Sequence, residues 1–486
     1  MFELVLIHQS EEKAGDMQQA WEQPGVRLRA YDAWAMDPEA LDDCRQALLQ
    51  CDFAVILLHG GLSWFPDFQK LSTALSESRR FFFHSEIEEE NQLILKKSSL
   101  LQEEQDFLRS CFEMGGVENF KKMLVFFQTG ERKEPQPVIR EGIFGCRPDQ
   151  EAEVLAQAEN CQKPVVGVLV HYSNCLSDNT GHIEALVDAI RRKGGFPLPI
   201  VSTMQPTTWS GGLLGVIERY FQMNGRPRIQ ALIATSGFSM TLLASPGMGR
   251  HGETGSVFAR LGVPVLQAMV TYLSQEKWEQ SFEGMDSMSV GSSVFEPELD
   301  GQIITTVIGC TEKQQGEHGS VSRTVPLPAQ IDLVAGLAVS WGRLQVKSAS
   351  EKKVAILLHN MPPRRDMLGC AYGLDAPESA CRMIRSLQEK GLFLQRSWEN
   401  GAELLRELLN GLTNENDTLS YTLMREKSAG VLAGRDYEQW FAGFPEHTRK
   451  EMEERWGQAP GEWLVLDQQI LIPGIQNGNL FVGIQP

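Results

Sequence analysis

The sequence predicts an α/β protein of several doubly wound, mostly parallel-sheet units arranged around a cleft. Three observations carry that expectation. Short, wholly apolar runs such as Val165 to Val170 and Val354 to Leu358 have the continuous hydrophobicity of strands buried on both faces. Amphipathic stretches such as Pro38 to Leu49 and His182 to Lys193 repeat their apolar positions at helical spacing. The two kinds of segment alternate along the chain, as they do where helices cross over a parallel sheet.

The elements follow in order. A first unit is expected over residues 1–148, with strands at Leu4 to Ile7 and Phe53 to Leu58 around the helix from Pro38. Phe81 to Phe83 is a third apolar run, and two helical patterns flank Gly115-Gly116. Pro135, Pro137 and Pro148 mark the stretch after Glu131 as a boundary loop. A second unit, 160–345, opens with the strand at Val165 and continues with the helix from His182, which Gly194-Gly195 stops. Strands at Phe196 to Val201, Leu232 to Thr235 and around Val265 follow, then a helix from Pro326 to Leu344. The third, 346–486, starts with Val354 to Leu358, a polar loop and a helix led by Asp375-Ala376-Pro377; it is expected to be incomplete at its C-terminal end.

Composition narrows the function. The formal charge is -18, from 45 basic and 63 acidic side chains, which argues against a nucleic-acid surface because phosphate binding rests on Lys and Arg. Nine cysteines lack the paired spacings of zinc or redox motifs, so reduced thiols are expected. The start, MFELVLIHQSEEK, reads as a strand rather than a signal peptide, and no run approaches a membrane span. A soluble, cytoplasmic protein is expected. No Gly-Lys pair occurs, so a P-loop is absent and any ATP is hydrolysed by a partner.

Candidate chemistry gathers at strand ends. His8, His59, His171 and His359 each close an apolar run, either as residues suited to the passage from core to water or as cleft-lining proton acceptors and metal ligands. Phe295-Glu296-Pro297-Glu298-Leu299-Asp300-Gly301 places carboxylates in what reads as an extended turn, able to hold a divalent ion or simply to be solvated. Ser236-Gly237-Phe238-Ser239 follows a strand and offers amides and hydroxyls to an anion, without the glycine before serine of a nucleophile elbow. Asn360, Arg364 and Arg365 suit a ligand rim or an exposed loop, and Asp375 with Ser379 suits a helix cap.

HNMPP at His359 to Pro363, GLDAPES at Gly373 to Ser379 and FEPELDG at Phe295 to Gly301 resemble the CobN-type large subunit of ATP-dependent cobaltochelatase, in the family shared with the large subunit of magnesium chelatase. KKSSLLQEEQDFLRSCFEMGGVENFKKML, RLGVPVLQ, RWGQAPGE and IPGIQNGNLFVGIQP extend the resemblance over nearly the whole chain. It implies a porphyrinoid-binding metal chelatase subunit with Co2+ as substrate and a corrin precursor as the tetrapyrrole. It also implies AAA+ ATPase partners that use ATP and Mg2+. His359 and Glu298 are then the catalytic candidates, with His359, Glu298 and Asp300 as metal candidates. His171, Ser236, Asn360, Arg364, Arg365 and Asp375 are the ring-binding candidates. The family's HGN-x-EW-x-PGK motif has no counterpart here, so the chain is expected to be an amino-terminal portion, inactive alone. It would be a truncated form, a split-gene product that works with a separate C-terminal half, or a degenerate paralogue. A non-catalytic tetrapyrrole carrier and the large subunit of magnesium chelatase are the alternatives.

Overall fold

A computed structural model describes the chain except residues 10, 59–60, 76–79, 86, 204, 208–209, 240–256, 283, 317–318, 360–368, 372, 414–418 and 486. It divides into two compact units, Met1–Val346 and Lys347–Pro486, and is α/β with parallel sheets. The stretches read as 1–148 and 160–345 form two sheets with separate cores inside the first unit.

The first sheet is built from β1 (Phe2–His8), β2 (Val26–Asp32), β3 (Phe53–Leu57) and β4 (Phe81–His84) in the order β2-β1-β3-β4, all parallel. Between strands run α1 (Glu11–Trp21) and α2 (Pro38–Gln50). Asp37 caps α2 by accepting from the Ala40 amide, and Pro38 occupies a first-turn position that needs no donor. β3 is buried throughout, as its unbroken apolar run requires. Apolar runs did not mark β2, because VRLRAYD alternates polar and apolar residues at a half-exposed sheet edge. After β4 come α3 (Gln102–Met114) and α4 (Val117–Thr129), and the fully buried Trp21 donates its Nε1–H to the Phe120 carbonyl at 2.7 Å, tying α1 to α4.

The second sheet has seven strands: β5 (Gly142–Ile143), β6 (Val165–His171), β7 (Phe196–Ser202), β8 (Ala231–Ala234), β9 (Val265–Thr271), β10 (Ile303–Gly316) and β11 (Gly319–Pro326). Their order is β11-β10-β9-β8-β6-β7-β5, parallel from β10 to β7 and antiparallel at both edges. The expected boundary loop therefore contributes an edge strand. α5 (Gly181–Arg192) and α6 (Pro328–Val346) cover one face through Ile183, Leu186, Ile331, Val334 and Ala338. The chain moves outward from β6 to β7 and then crosses to β8 on the opposite side of β6, so the sheet order reverses between β6 and β8.

The second unit is smaller. β12 (Val354–Leu358) runs parallel to a C-terminal strand, Leu480–Ile484, and α7 (Ala376–Glu389) and α8 (Gly401–Asn410) pack on their core through Ala380, Ile384, Leu404 and Leu408. Among the described residues no helix is long and apolar enough to cross a membrane. Cys44 and Cys111 are free and buried, and burial pushes both thiols up to about 12, so they stay protonated at neutral pH.

Glu151 fastens the edge strand β5: its carboxylate accepts from the Ile143 amide at 3.1 Å, the Tyr220 hydroxyl at 3.3 Å and Arg140 at 3.1 Å. Glu151→Ala strands a buried amide and is expected to cost about 1–3 kcal/mol, read as a lower urea midpoint. An unchanged midpoint would show that the edge strand is not held by this carboxylate.

Candidate functional site

Parallel pairing brings the carboxyl ends of β6, β8 and β9 to one edge of the seven-stranded sheet, where open α/β sheets bind ligands beside the reversal of strand order. A cavity of about 260 Å³ opens there. Its lining includes Thr235 just past β8, Gln267, Met269 and Val270 of β9, and Thr311 and Thr324 of the β10–β11 hairpin. Asn179, Ser289, Ser292 and Ser293 add further polar groups, and Phe238 and Tyr272 add aromatic rings.

The backbone is irregular where the cavity forms. Pairing of β9 with β10 slips between Gln267 and Met269 and again between Met269 and Val270. Such bulges re-aim side chains and recur beside functional sites. Phe238 adopts φ +69°, a left-handed conformation uncommon for a bulky residue, while its ring stays half-exposed. The loop is held by a clasp. The Phe238 amide donates to the Ser292 carbonyl at 2.7 Å, the Ser239 amide to Glu296 at 3.1 Å, and the Ser239 hydroxyl to Asp300 at 3.2 Å.

Two polar atoms at the site have no partner among the described residues. Gln267 is 1% exposed, and its side-chain NH2 donates to the Ser236 carbonyl at 3.1 Å while its Oε1 stays unpaired. The buried Ser236 Oγ is likewise unpaired. Groups of this kind are costly unless something entering the site completes them.

Ser236 lies in the loop that walls the cavity. His171 closes β6 on the far side of the strand-order reversal, its Nδ1 2.7 Å from the Ser173 hydroxyl. Asp300 is buried in the clasp, whereas Glu298 is exposed and it is Glu296 that reaches Ser239. The stretch read as an extended turn is instead a π-helical turn, Gly291–Phe295, followed by a helical turn, Glu296–Leu299. Pro297 sits in the first turn of that helix, where its missing N–H costs nothing, and so favours helix over extended chain.

In the second unit His359 is exposed at the end of β12, with Nδ1 2.8 Å from Gln485 Oε1. Asp375 caps α7 by accepting from the Glu378 amide at 3.0 Å. A hydrogen bond from the Gly401 amide, helped by Arg382, holds the Glu378 carboxyl below its usual range. His59, Asn360, Arg364 and Arg365 lie outside the described residues. Among the described residues, no three His, Cys, Asp or Glu side chains gather to hold a metal ion.

Gln267 and the serines at Ser289, Ser292 and Ser293 were not among the candidates, and Phe238 was read only as part of an anion-binding stretch, not for its ring. One signal was visible: Gln267 interrupts an otherwise nearly apolar strand, VLQAMVT.

Residues 109–486 match the family model described as CobN/Magnesium Chelatase. The chain is 30% identical over 386 residues to an uncharacterized protein of Methanocaldococcus jannaschii, covering 76% of this chain and 31% of that one. It is 28% identical over 382 residues to the aerobic cobaltochelatase subunit CobN of Pseudomonas aeruginosa, covering 76% and 29%. With the chloroplastic magnesium-chelatase subunit ChlH of Oryza sativa subsp. indica it shares 24% identity over 328 residues, covering 66% and 22%. The chain thus spans less than a third of the length of these relatives. The catalytic subunit of cobaltochelatase from Mycobacterium tuberculosis has the same fold over 99% of this chain and 38% of its own, with TM-score 0.60 and 22% identity.

Two outcomes test this geometry. A methyl group on Gly237 would lie 2.9 Å from the Ser292 carbonyl oxygen and 3.2 Å from Ser293 Oγ. Gly237→Ala is therefore expected to spread the clasp and lower the thermal midpoint, while Ser293→Ala alone leaves that midpoint within a degree or so. His182, buried beneath the hairpin on α5, has its imidazole lowered by burial to about 4. The unfolded chain then takes up this proton near pH 6.5 and the folded one does not. Stability is full above that pH and falls as pH drops toward 4, by up to about 3 kcal/mol. Urea midpoints at pH 4.5 and 7.5 should differ less in His182→Met than in the unaltered protein.

Proposed function

The chain belongs to the CobN/magnesium chelatase family, and from that premise we propose that it is the ring-binding amino-terminal part of an ATP-dependent cobaltochelatase large subunit. In this reading the intact assembly inserts Co2+, its substrate, into a corrin precursor during cobalamin biosynthesis in the cytoplasm. AAA+ partners hydrolyse the ATP, in keeping with a sequence that has no Gly-Lys phosphate loop. Relatives of both kinds match, and the cobalt reading rests on the slightly higher identity to those named for cobaltochelatase, 28% and 26%, than to those named for magnesium chelatase, 24% and 25%.

The observation that carries the reading is the cavity at the sheet's carboxyl edge. Its volume of about 260 Å³ falls below the roughly 300–1,000 Å³ of a whole small-molecule site. It therefore receives a peripheral substituent of the macrocycle, while the ring itself lies outside. Phe238 and Tyr272 present aromatic surface to the ring at that mouth. Gln267 Oε1 and Ser236 Oγ complete their hydrogen bonding with the substituent.

Metal insertion requires the ion to shed water, the ring to bend and two inner pyrrole protons to leave. An imidazole near neutral pH accepts such protons. We assign the proton transfer to His359 at the end of β12.

Titration of the purified chain with a metal-free corrin precursor is expected to give a saturable absorbance change, with protoporphyrin binding more weakly. Phe238→Ala should weaken corrin binding by roughly tenfold, the size of an aromatic contact. Tighter protoporphyrin binding would move the assignment to the magnesium branch, and no binding of either ring would end the reading. In the intact enzyme, His359→Ala should cut cobalt insertion with the melting curve unchanged; full activity would remove His359 from the reaction.

A further inference from the structure

A second open strand-end edge stands on the first sheet, in a part of the chain that the family match does not reach. The order β2-β1-β3-β4 reverses between β1 and β3, so the carboxyl ends of these two strands flank that sheet's own switch point. Gln9 follows β1 there and is almost wholly buried. It acts as a hub: its amide donates to the Leu57 carbonyl at 3.1 Å, its carbonyl accepts from Trp34 Nε1 at 3.2 Å, and its side-chain NH2 donates to the Trp64 carbonyl at 3.3 Å.

The two indoles meet edge to face, with centroids 5.8 Å apart and planes at 77°. Each is about half-exposed: 51% for Trp34 and 50% for Trp64. The turn carrying Trp64 is rigidly seated. Gly61, at φ +93°, packs so closely on Ile87 that a methyl group would come within 2.6 Å of it, and Glu90 accepts from the Leu62 amide at 2.9 Å. An aromatic corner built this firmly and left open is preorganised for a flat ring that stacks on one indole and meets the edge of the other.

Charge decides which ring. In nucleotide-binding sheets the helix amino termini at this edge receive phosphate. Here α2 carries Glu39 in its first turn, and the helix Glu88–Leu95 carries Glu88, Glu89 and Glu90. Asp32 stands at the end of β2 and accepts from the Trp34 amide at 2.9 Å. Lys70, in the stretch after Trp64, is paired with Asp67 at 2.6 Å. Glu88 is paired with Arg109 at 3.1 Å; the other carboxylates repel an anion and attract a cation. A corner set by rings 5.8 Å apart also suits one or two fused rings rather than a macrocycle.

We propose that Trp34 and Trp64 form a stacking site for a small planar heteroaromatic molecule that is uncharged or cationic. The site is independent of the tetrapyrrole reading. Three matched pyridines test it: 1-methylnicotinamide (cationic), nicotinamide (neutral) and nicotinate (anionic), added to the full chain labelled with 5-fluorotryptophan. Trp34→Phe and Trp64→Phe assign the two fluorine resonances. The cation and the neutral ring should shift both resonances saturably and leave the buried Trp21 unmoved, with nicotinate at least about tenfold weaker. Trp34→Leu, a change at a half-exposed position, should abolish the shift of Trp64 while the melting curve is retained. No shift with any of the three, equal binding of nicotinate, or an unaltered response in Trp34→Leu overturns the proposal.

Discussion

Parallel strand pairing is the constraint on which the rest depends. Strands that run the same way must end at the same edge, so β6, β8 and β9 deliver His171, Thr235 and the end of β9 to one rim whatever their loops contain. Long crossovers are the cost of that arrangement, and they place helices over the faces and leave the rim open. The same logic operates in the first sheet, where β1 and β3 bring Gln9 and the Trp64 turn together. Each rim therefore offers positions for chemistry that the core does not need.

What makes the rim of the seven-stranded sheet a site is local irregularity held by polar bonds. A regular β9 would alternate its side chains evenly; the slips at Gln267 and Met269 bring consecutive residues to the cavity. The loop after β8 departs from extended geometry at Phe238 and is kept there by Ser292, Glu296 and Asp300. Carboxylates in this clasp are structural. Glu296 and Asp300 fix the wall by accepting from Ser239, while Glu298 stays exposed outside the clasp.

The two rims differ in chemistry although their topology is alike. One is lined by hydroxyls and amides around two unpaired polar atoms, and the other is an indole corner ringed by acidic helix starts. The first suits a substituent that hydrogen-bonds, and the second a flat ring without negative charge. The two rims stand on sheets that have separate hydrophobic cores.

By itself the sequence determined the α/β class and most strands and helices, because continuous apolar runs and helical spacing record burial directly. Val165 to Val170 admits few structures other than a central strand, and the Asp375-Ala376-Pro377 lead admits few other than a helix start. It also put His171 and Ser236 where buried strands give way to loops, because a polar residue after an apolar run marks the strand's end. Only the tertiary structure decided that Glu296 rather than Glu298 reaches the loop, that Gln267 faces the cavity and that Trp34 meets Trp64. Those facts depend on which strands are neighbours and where their pairing slips. Residues far apart in the chain set them jointly, and no local pattern records them.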